Sequence, residues 1–267
     1  MSLDPMQQGQ RGLNNLNTRI DAFSIRYERA EALLTSLVMR TVLAGTLGVP
    51  SVRRAVKAQV TAMLEELDAA GIPEGDRLVE KAYQLGIKLA AQEHKIQTSI
   101  DDQALFLLRE NISARLGDAT THVGRRVEDV FRKEGLRIAS LSLGDQEVPN
   151  LSDQLQRRLV KQGVSAFTDR NGTNWGLAAY ARMAVKTTTA EAIFYGTQGV
   201  LISNGLDVVE VNHVANPCDL CQKYDGKTFS LTGRSAYPLL DTTFPVHPNC
   251  QHYMVVSPKA FAERAAA

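Results

Sequence analysis

From Arg11 to about Gly205, apolar residues return every three or four positions, so the chain reads as one helix after another. Ser51 stands where an N-cap belongs, and Val52, Val56, Val60, Met63, Leu64 and Leu67 form one helical stripe. Gly71 and Pro73 predict that this helix stops near Ala70. Further stripes follow at Leu78, Ala82, Leu85 and Leu89, at Leu105, Leu108, Ile112 and Leu116, and at Val123, Val127, Val130 and Phe131. Ser152, ahead of Asp153 and the run from Leu155 to Val160, caps another helix. Residues 1 to about 10 are polar and are expected to fray.

The periodicity breaks twice. Between Leu141 and Ser152 the chain turns rich in Gly, Asp, Pro and Asn, which places a domain boundary there and divides it into residues 1–150 and 151–267. Asn171-Gly172-Thr173-Asn174 is the second break, and a long helix is predicted from Trp175 to about Asn204, stopped by Gly205. Its centre, Lys186-Thr-Thr-Thr-Ala190, is a poor helix former and needs packing to hold it. Beyond Gly205 the period changes to two. Val209 and Val211 alternate with Glu210 and Asn212 in a predicted strand from Val208 to Val214. Asp225-Gly226 signals a hairpin, and Tyr253 to Val256 is a further β-prone run. The expected class is therefore mostly α, with a small α+β C-terminal domain.

Composition narrows the function classes. A chain of 267 residues that is 44% hydrophobic and 22% charged buries a sizeable core. A net charge of +1 argues against bulk wrapping of nucleic acid, and residues 205–267 carry six acidic against five basic side chains. The opening residues lack the basic and apolar segments of a secretory signal. The stretch from Leu33 to Val49 is too short and too polar to span a bilayer, so a soluble protein of a reducing compartment, without membrane partners, is expected.

All three cysteines fall between positions 218 and 250. Cys218-Asp-Leu-Cys221 is followed, after 25 residues, by His247-Pro-Asn-Cys250 and then His252. A Cys-x-x-Cys turn aims two thiolates at one ion, and His-x-x-Cys supplies two more ligands. Cys218, Cys221, His247 and Cys250 thus form a Cys3His set for tetrahedral Zn2+, closed by protein and therefore structural. The two-residue gap from His247 to Cys250 mirrors the first pair and favours His247, with His252 and then His213 as alternatives. Unrelated thiols and a Cys218–Cys221 disulfide are the competing readings, the latter disfavoured in a reducing compartment.

The order of Trp175, Tyr180-Ala-Arg-Met183, Thr187-Thr-Thr189, Gly205-Leu-Asp207, Val211-Asn-His213, Cys218-Asp-Leu-Cys221, Asp225-Gly-Lys227, Tyr237-Pro-Leu239 and His247-Pro-Asn-Cys250 resembles the C-terminal domain of tailed-bacteriophage minor capsid proteins, the Mu F-like and related head-morphogenesis families. The resemblance spans roughly residues 170 to 258. Many members of those families place a second cysteine two positions after His-Pro-Asn-Cys, where this chain has His252, which leaves the fourth ligand between His247 and His252. The resemblance implies a non-enzymatic structural protein of the virion that is assembled in the host bacterial cytoplasm. It would join the head near the portal, contact portal or major capsid protein and touch packaged DNA, helping head assembly or genome delivery.

Other features carry less. Arg53-Arg54, Arg125-Arg126 and Arg157-Arg158 read as solvated helix faces rather than a DNA groove. Trp175, Tyr180, Phe194 and Tyr195 are expected to anchor the long helix, and His94 and His122 receive no role. A DNA-binding zinc module is the second functional reading. The third is an HNH-like nuclease using His247 and Asn249, which lacks the adjacent acidic-histidine pair and, with His247 on the metal, leaves only His252 or His213 as a base. Phosphate loops, nucleophile elbows and His-Glu-x-x-His motifs are absent from the sequence.

Overall fold

A computed structural model describes residues 5–46, 49–91, 96, 98–141, 167–168 and 172–260. Four helices dominate: α1 Pro5–Leu43, α2 Pro50–Ala91, α3 Asp102–Leu141 and α4 Leu177–Ser203. The strands are short: β1 Phe167–Thr168, β2 Asn174–Trp175, β3 Val208–Val211, β4 Thr228–Ser230 and β5 Met254–Val256. The class is mostly helical with one small three-stranded sheet, as expected. The turn-rich boundary at 142–150, the helix capped by Ser152, Arg157-Arg158 and His94 lie outside the described residues.

The predicted helices merge into fewer, longer ones. The stop at Gly71-Pro73 does not occur, and α2 runs through both residues. A glycine ends a helix by adopting positive φ, and Gly71 does not adopt it. Its missing Cβ instead admits the Tyr27 ring and hydroxyl of α1, which a side chain there would strike. Pro73 removes one hydrogen bond from the helix, a cost of about 3 kcal/mol in an unsupported helix that the buried positions on either side offset here. Residues 5–10 are also helical rather than frayed. Gly9 packs on Tyr253, whose hydroxyl donates to Met6 O at 2.9 Å.

Two compact units arise, each assembled from separated stretches of chain. One comprises residues 22–73 and 114–182. Its core joins Phe23, Tyr27, Leu34 and Val38 of α1, Val56, Val60, Leu64 and Leu67 of α2, and Leu116, Val123, Val127 and Phe131 of α3. Thr120 Oγ1 donates to Asp68 at 2.8 Å, and β1 pairs antiparallel with β2 through Phe167 and Trp175. Trp175 thus lies in a ribbon ahead of α4 rather than in the helix, edge-on to Tyr180 at 6.0 Å between centroids.

The other unit comprises residues 1–21, 74–113 and 183–267. Here α2 and α4 meet through glycines and buried Val79, Ala82, Tyr83, Ile193 and Phe194. The threonine-rich centre of α4 is held as its weak propensity requires. Thr188 and Thr189 are buried, and Thr189 Oγ1 returns its hydrogen to Val185 O at 2.8 Å. Gly205, with φ of 69°, ends α4. Leu206 N bonds to Leu201 O at 2.9 Å and Gly205 N to Ile202 O at 3.0 Å, the paired carbonyl capture of a Schellman stop.

The sheet order is β4-β3-β5, with β3 antiparallel to both neighbours. Val209 sits opposite Phe229 on one side and Val256 on the other. The central strand ends at Val211 rather than Val214, because the amide of Val214 goes to the Asp225 carboxylate at 2.7 Å instead of a ladder. Asp225-Gly226 forms a turn leading into β4 and not the tip of a hairpin. Lys227 N reaches Tyr224 O, and the preceding residues are already committed to the Cys218–Cys221 turn.

Candidate metal centre

Two turns present the donors. Cys221 N and Gln222 N both bond to Cys218 O, at 2.8 and 3.0 Å, which curls the first turn so that both sulfurs face one side. In the second, Cys250 N bonds to His247 O at 3.1 Å and Asn249 takes φ of 64°, a conformation asparagine tolerates better than most side chains. The turns lie against each other. Cys218 Sγ is 3.2 Å from His247 Nε2, and Cys221 Sγ is 3.7 Å from Cys250 Sγ.

The four residues predicted from spacing are therefore neighbours, and a fifth donor joins them. Cys250 Sγ lies 3.5 Å from Nδ1 of His252. Among the described residues the donors form two groups, Cys218, Cys221 and His247, and Cys221, Cys250 and His252, with all ligand atoms of a group within 4.8 Å of one another. Cys221 belongs to both and is buried, Cys250 is half-buried, and Cys218 is exposed. His213 stands outside both groups. All three thiols are free.

The chemistry of this donor set fits a thiophilic divalent ion. Burial first, and then the proximity of Cys250 and Cys218, push the Cys221 thiol up to about 12. Sulfurs this close become thiolates together only when a cation supplies compensating charge, as zinc does in Cys3His sites. Both histidines are also in the tautomer that ligation needs. His247 Nδ1 lies 2.8 Å from Pro248 O and His252 Nε2 lies 2.9 Å from Asp225 Oδ1. Each partner only accepts, so a ring hydrogen sits there, and the other nitrogen is the one turned toward sulfur.

Asp225 is the residue that sequence reading passed over as a turn former. Its carboxylate accepts from Val214 N, His252 Nε2 and His213 Nδ1, the last at 2.5 Å. Burial tends to raise its pKa, but hydrogen bonds from His252, Val214 and His213 outweigh this and hold it below the usual carboxylate range. Asn212, placed by the strand pattern on the polar face, is buried and brackets His252: Tyr253 N donates to its Oδ1 at 2.7 Å and its Nδ2 donates to Gln251 O at 3.4 Å. Neither role has a local sequence signal, since each partner is 27 to 41 residues away.

The family model for phage minor capsid protein 2 matches residues 54–256, from the start of α2 to the end of β5. The chain belongs to that family. The match takes in helices in which no motif is legible as well as the Cys/His turns, so it extends well beyond the residues 170–258 on which the resemblance was read. No curated protein and no solved structure matches the chain. A phage capsid component, and so a virion location within a multi-subunit assembly, follows from the family. Among the described residues no helix is long and apolar enough to cross a membrane.

The remaining candidates fall into place around this. Arg53, Arg54 and Arg125 are exposed and Arg126 half-buried. Phe194 is buried edge-on to Phe244 at 6.1 Å, and Tyr195 is exposed, so only the first of that pair anchors α4 in the core. His122 lies 2.6 Å from the carbonyl of Asp118, one turn back on its own helix.

Proposed function

We propose that this chain is a low-copy structural component of the phage head, seated near the portal and contacting portal or major capsid protein, and that it assists head assembly or genome delivery without catalysing a reaction. The observation that carries this reading is the family match across residues 54–256, which takes in both the helices and the Cys/His turns. In support, the exposed apolar side chains are carried largely by the helices: Ile25 and Leu33 on α1, Phe106, Leu107 and Leu136 on α3, and Tyr195 and Ile202 on α4. A stable protein interface buries on the order of 1,000 Å² or more in total, and long helices supply such an area.

In this reading the helices of residues 1–150 supply contact surface, and the sheet of short strands that follows α4 is stapled by one zinc ion held by Cys218, Cys221, Cys250 and a histidine. When bound, zinc supplies a cross-link and charge balance, not reactivity, because protein ligands close its coordination. The chain's own work is mechanical. The Cys and His turns tie the loops on both sides of β4 to the start of β5, where the sheet alone buries little.

The test is incorporation into heads. Mass spectrometry of purified proheads and virions should find the protein at a few copies per particle. The full-length double variant Ile25→Glu, Leu33→Glu should fold and bind zinc yet fail to incorporate. Absence of the wild-type protein from both particles would overturn the structural reading. Normal incorporation of the double variant, alongside loss in Leu220→Glu at the exposed tip of the first cysteine turn, would move the contact to the C-terminal part.

A further inference from the structure

We infer that the fourth protein ligand of the metal is Nδ1 of His252, and that Asp225 is the residue that positions it. The inference rests on the metal reading above and assigns the place that sequence spacing gives to His247. Four observations separate the two histidines.

The first is the set of donor separations. A tetrahedral zinc with Zn–S of about 2.3 Å and Zn–N of about 2.05 Å spaces two sulfurs by about 3.8 Å and a sulfur and nitrogen by about 3.6 Å. Cys221 to Cys250 is 3.7 Å and Cys250 to His252 is 3.5 Å, so both separations already match tetrahedral edges. The approach of His247 to Cys218, at 3.2 Å, is shorter than such an edge.

Second, the His252 ring is fixed before any ion arrives. It is buried and stacks on Phe244 at 6.2 Å and 24°, while Asn212 holds the backbone on both sides of it. His247 is half-exposed, and its Nδ1 bonds within its own turn, to the carbonyl of the next residue. A ligand already immobilised loses less conformational entropy on binding.

Third, Asp225 meets the requirement for an outer-shell residue. One carboxylate oxygen takes the hydrogen of His252 Nε2 and the amide of Val214, and the other faces His213, so the acceptor is itself held from two further directions. A carboxylate behind a ligating imidazole fixes the ring and raises its basicity. Fourth, the groups facing this carboxylate come from separate segments, the stretch leading into β5 and the loop after β3. Asp225 therefore also locks the orientation in which His252 reaches Cys250.

Zinc affinity measured by competition with a chromophoric chelator, together with the visible spectrum of the cobalt-substituted full chain, tests the assignment. His252→Ala should lower affinity more than 100-fold and Asp225→Ala by roughly 10- to 100-fold, the usual range for outer-shell loss. His247→Ala should change it less than about threefold, the ordinary spread of a surface substitution. His252→Cys should restore tight binding and add a thiolate-to-cobalt charge-transfer contribution. In that background Asp225→Ala should have no further effect on affinity, a non-additivity that general loosening of the loop would not produce.

Greater loss from His247→Ala than from His252→Ala overturns the ligand assignment. An Asp225→Ala penalty of equal size in the wild-type and His252→Cys backgrounds overturns the positioning role. Wild-type protein that binds no zinc removes the metal reading itself, a failure distinct from the other two.

Discussion

The backbones of Gly86 in α2 and Ile193 in α4 touch: a Cβ at Gly86 would stand closer than 3.0 Å to the carbonyl oxygen of Ile193. The contact is reciprocal, since a Cβ at Gly196 would come as near to Tyr83 O, and Thr197 Oγ1 donates to Gly86 O at 3.0 Å. In an isolated helix Gly→Ala gains about 1 kcal/mol. Here the obstructing atoms are backbone and cannot turn aside, so overpacking decides the sign. Gly86→Ala should destabilise by about 1–3 kcal/mol in urea unfolding. A rise in the midpoint would show that the helices can separate without loss.

Purified without chelator, the protein should carry about one zinc per chain, because both donor groups share Cys221 and can serve a single ion. Cys221→Ser removes the donor common to both groups and should abolish stoichiometric zinc, with a stability loss of several kcal/mol, on the order expected when a structural zinc is removed from a small domain. Elemental analysis and thermal melting with and without chelator provide the check. Metal-free reduced protein with an unchanged melting curve in chelator would eliminate the staple.

Two helix starts are capped in different ways. Asp101 Oδ1 accepts from Gln103 N and Ala104 N, both at 3.0 Å, and Asp101→Ala should cost about 1 kcal/mol, as loss of an N-cap usually does. At α4 the cap comes from 147 residues away: Glu31 Oε2 accepts from Ala178 N at 3.1 Å. Glu31→Ala should cost about 1–2 kcal/mol by leaving that amide without its charged partner. Equilibrium denaturation of each variant measures both. A neutral Glu31→Ala would mean that water replaces the carboxylate.

Asp207 collects Ser230 Oγ, Thr232 N, Thr232 Oγ1 and Ser235 N around its carboxylate. Burial raises its pKa, yet these hydrogen bonds outweigh burial and bring it down to about 2. A carboxylate whose folded pKa lies below its unfolded value of about 3.9 stabilises the fold above that value, and the contribution disappears as pH falls through the folded one. Unfolding midpoints should therefore drop between about pH 4 and pH 2. In Asp207→Asn the loss over this window should be smaller and the stability at pH 7 lower. Parallel curves for the two proteins would assign the acid sensitivity to other groups.

What the sequence determined by itself is whatever a local signal can carry. The helical period is set by burial every 3.6 residues, so the stripes at Val56–Leu67 and Ile112–Phe131 were legible. Gly205 ends α4 because positive φ is a property of that one residue, and the strands at Val208 and Met254 follow their own alternation and β-branching. Cys218 with Cys221, and His247 with Cys250, were legible as candidate donors because each turn holds its two within four residues, but which histidine faces the thiols was not. Tertiary structure decided what depends on distant partners. Gly71 and Pro73 read as a stop until Tyr27 supplies the reason for the glycine, and Met6 to Gln10 read as a frayed end until Tyr253 packs on Gly9. Glu31 could not announce itself as the cap of a helix 147 residues on, nor Asp225 as the support of His252, because a hydrogen bond across the fold leaves no periodicity in the chain.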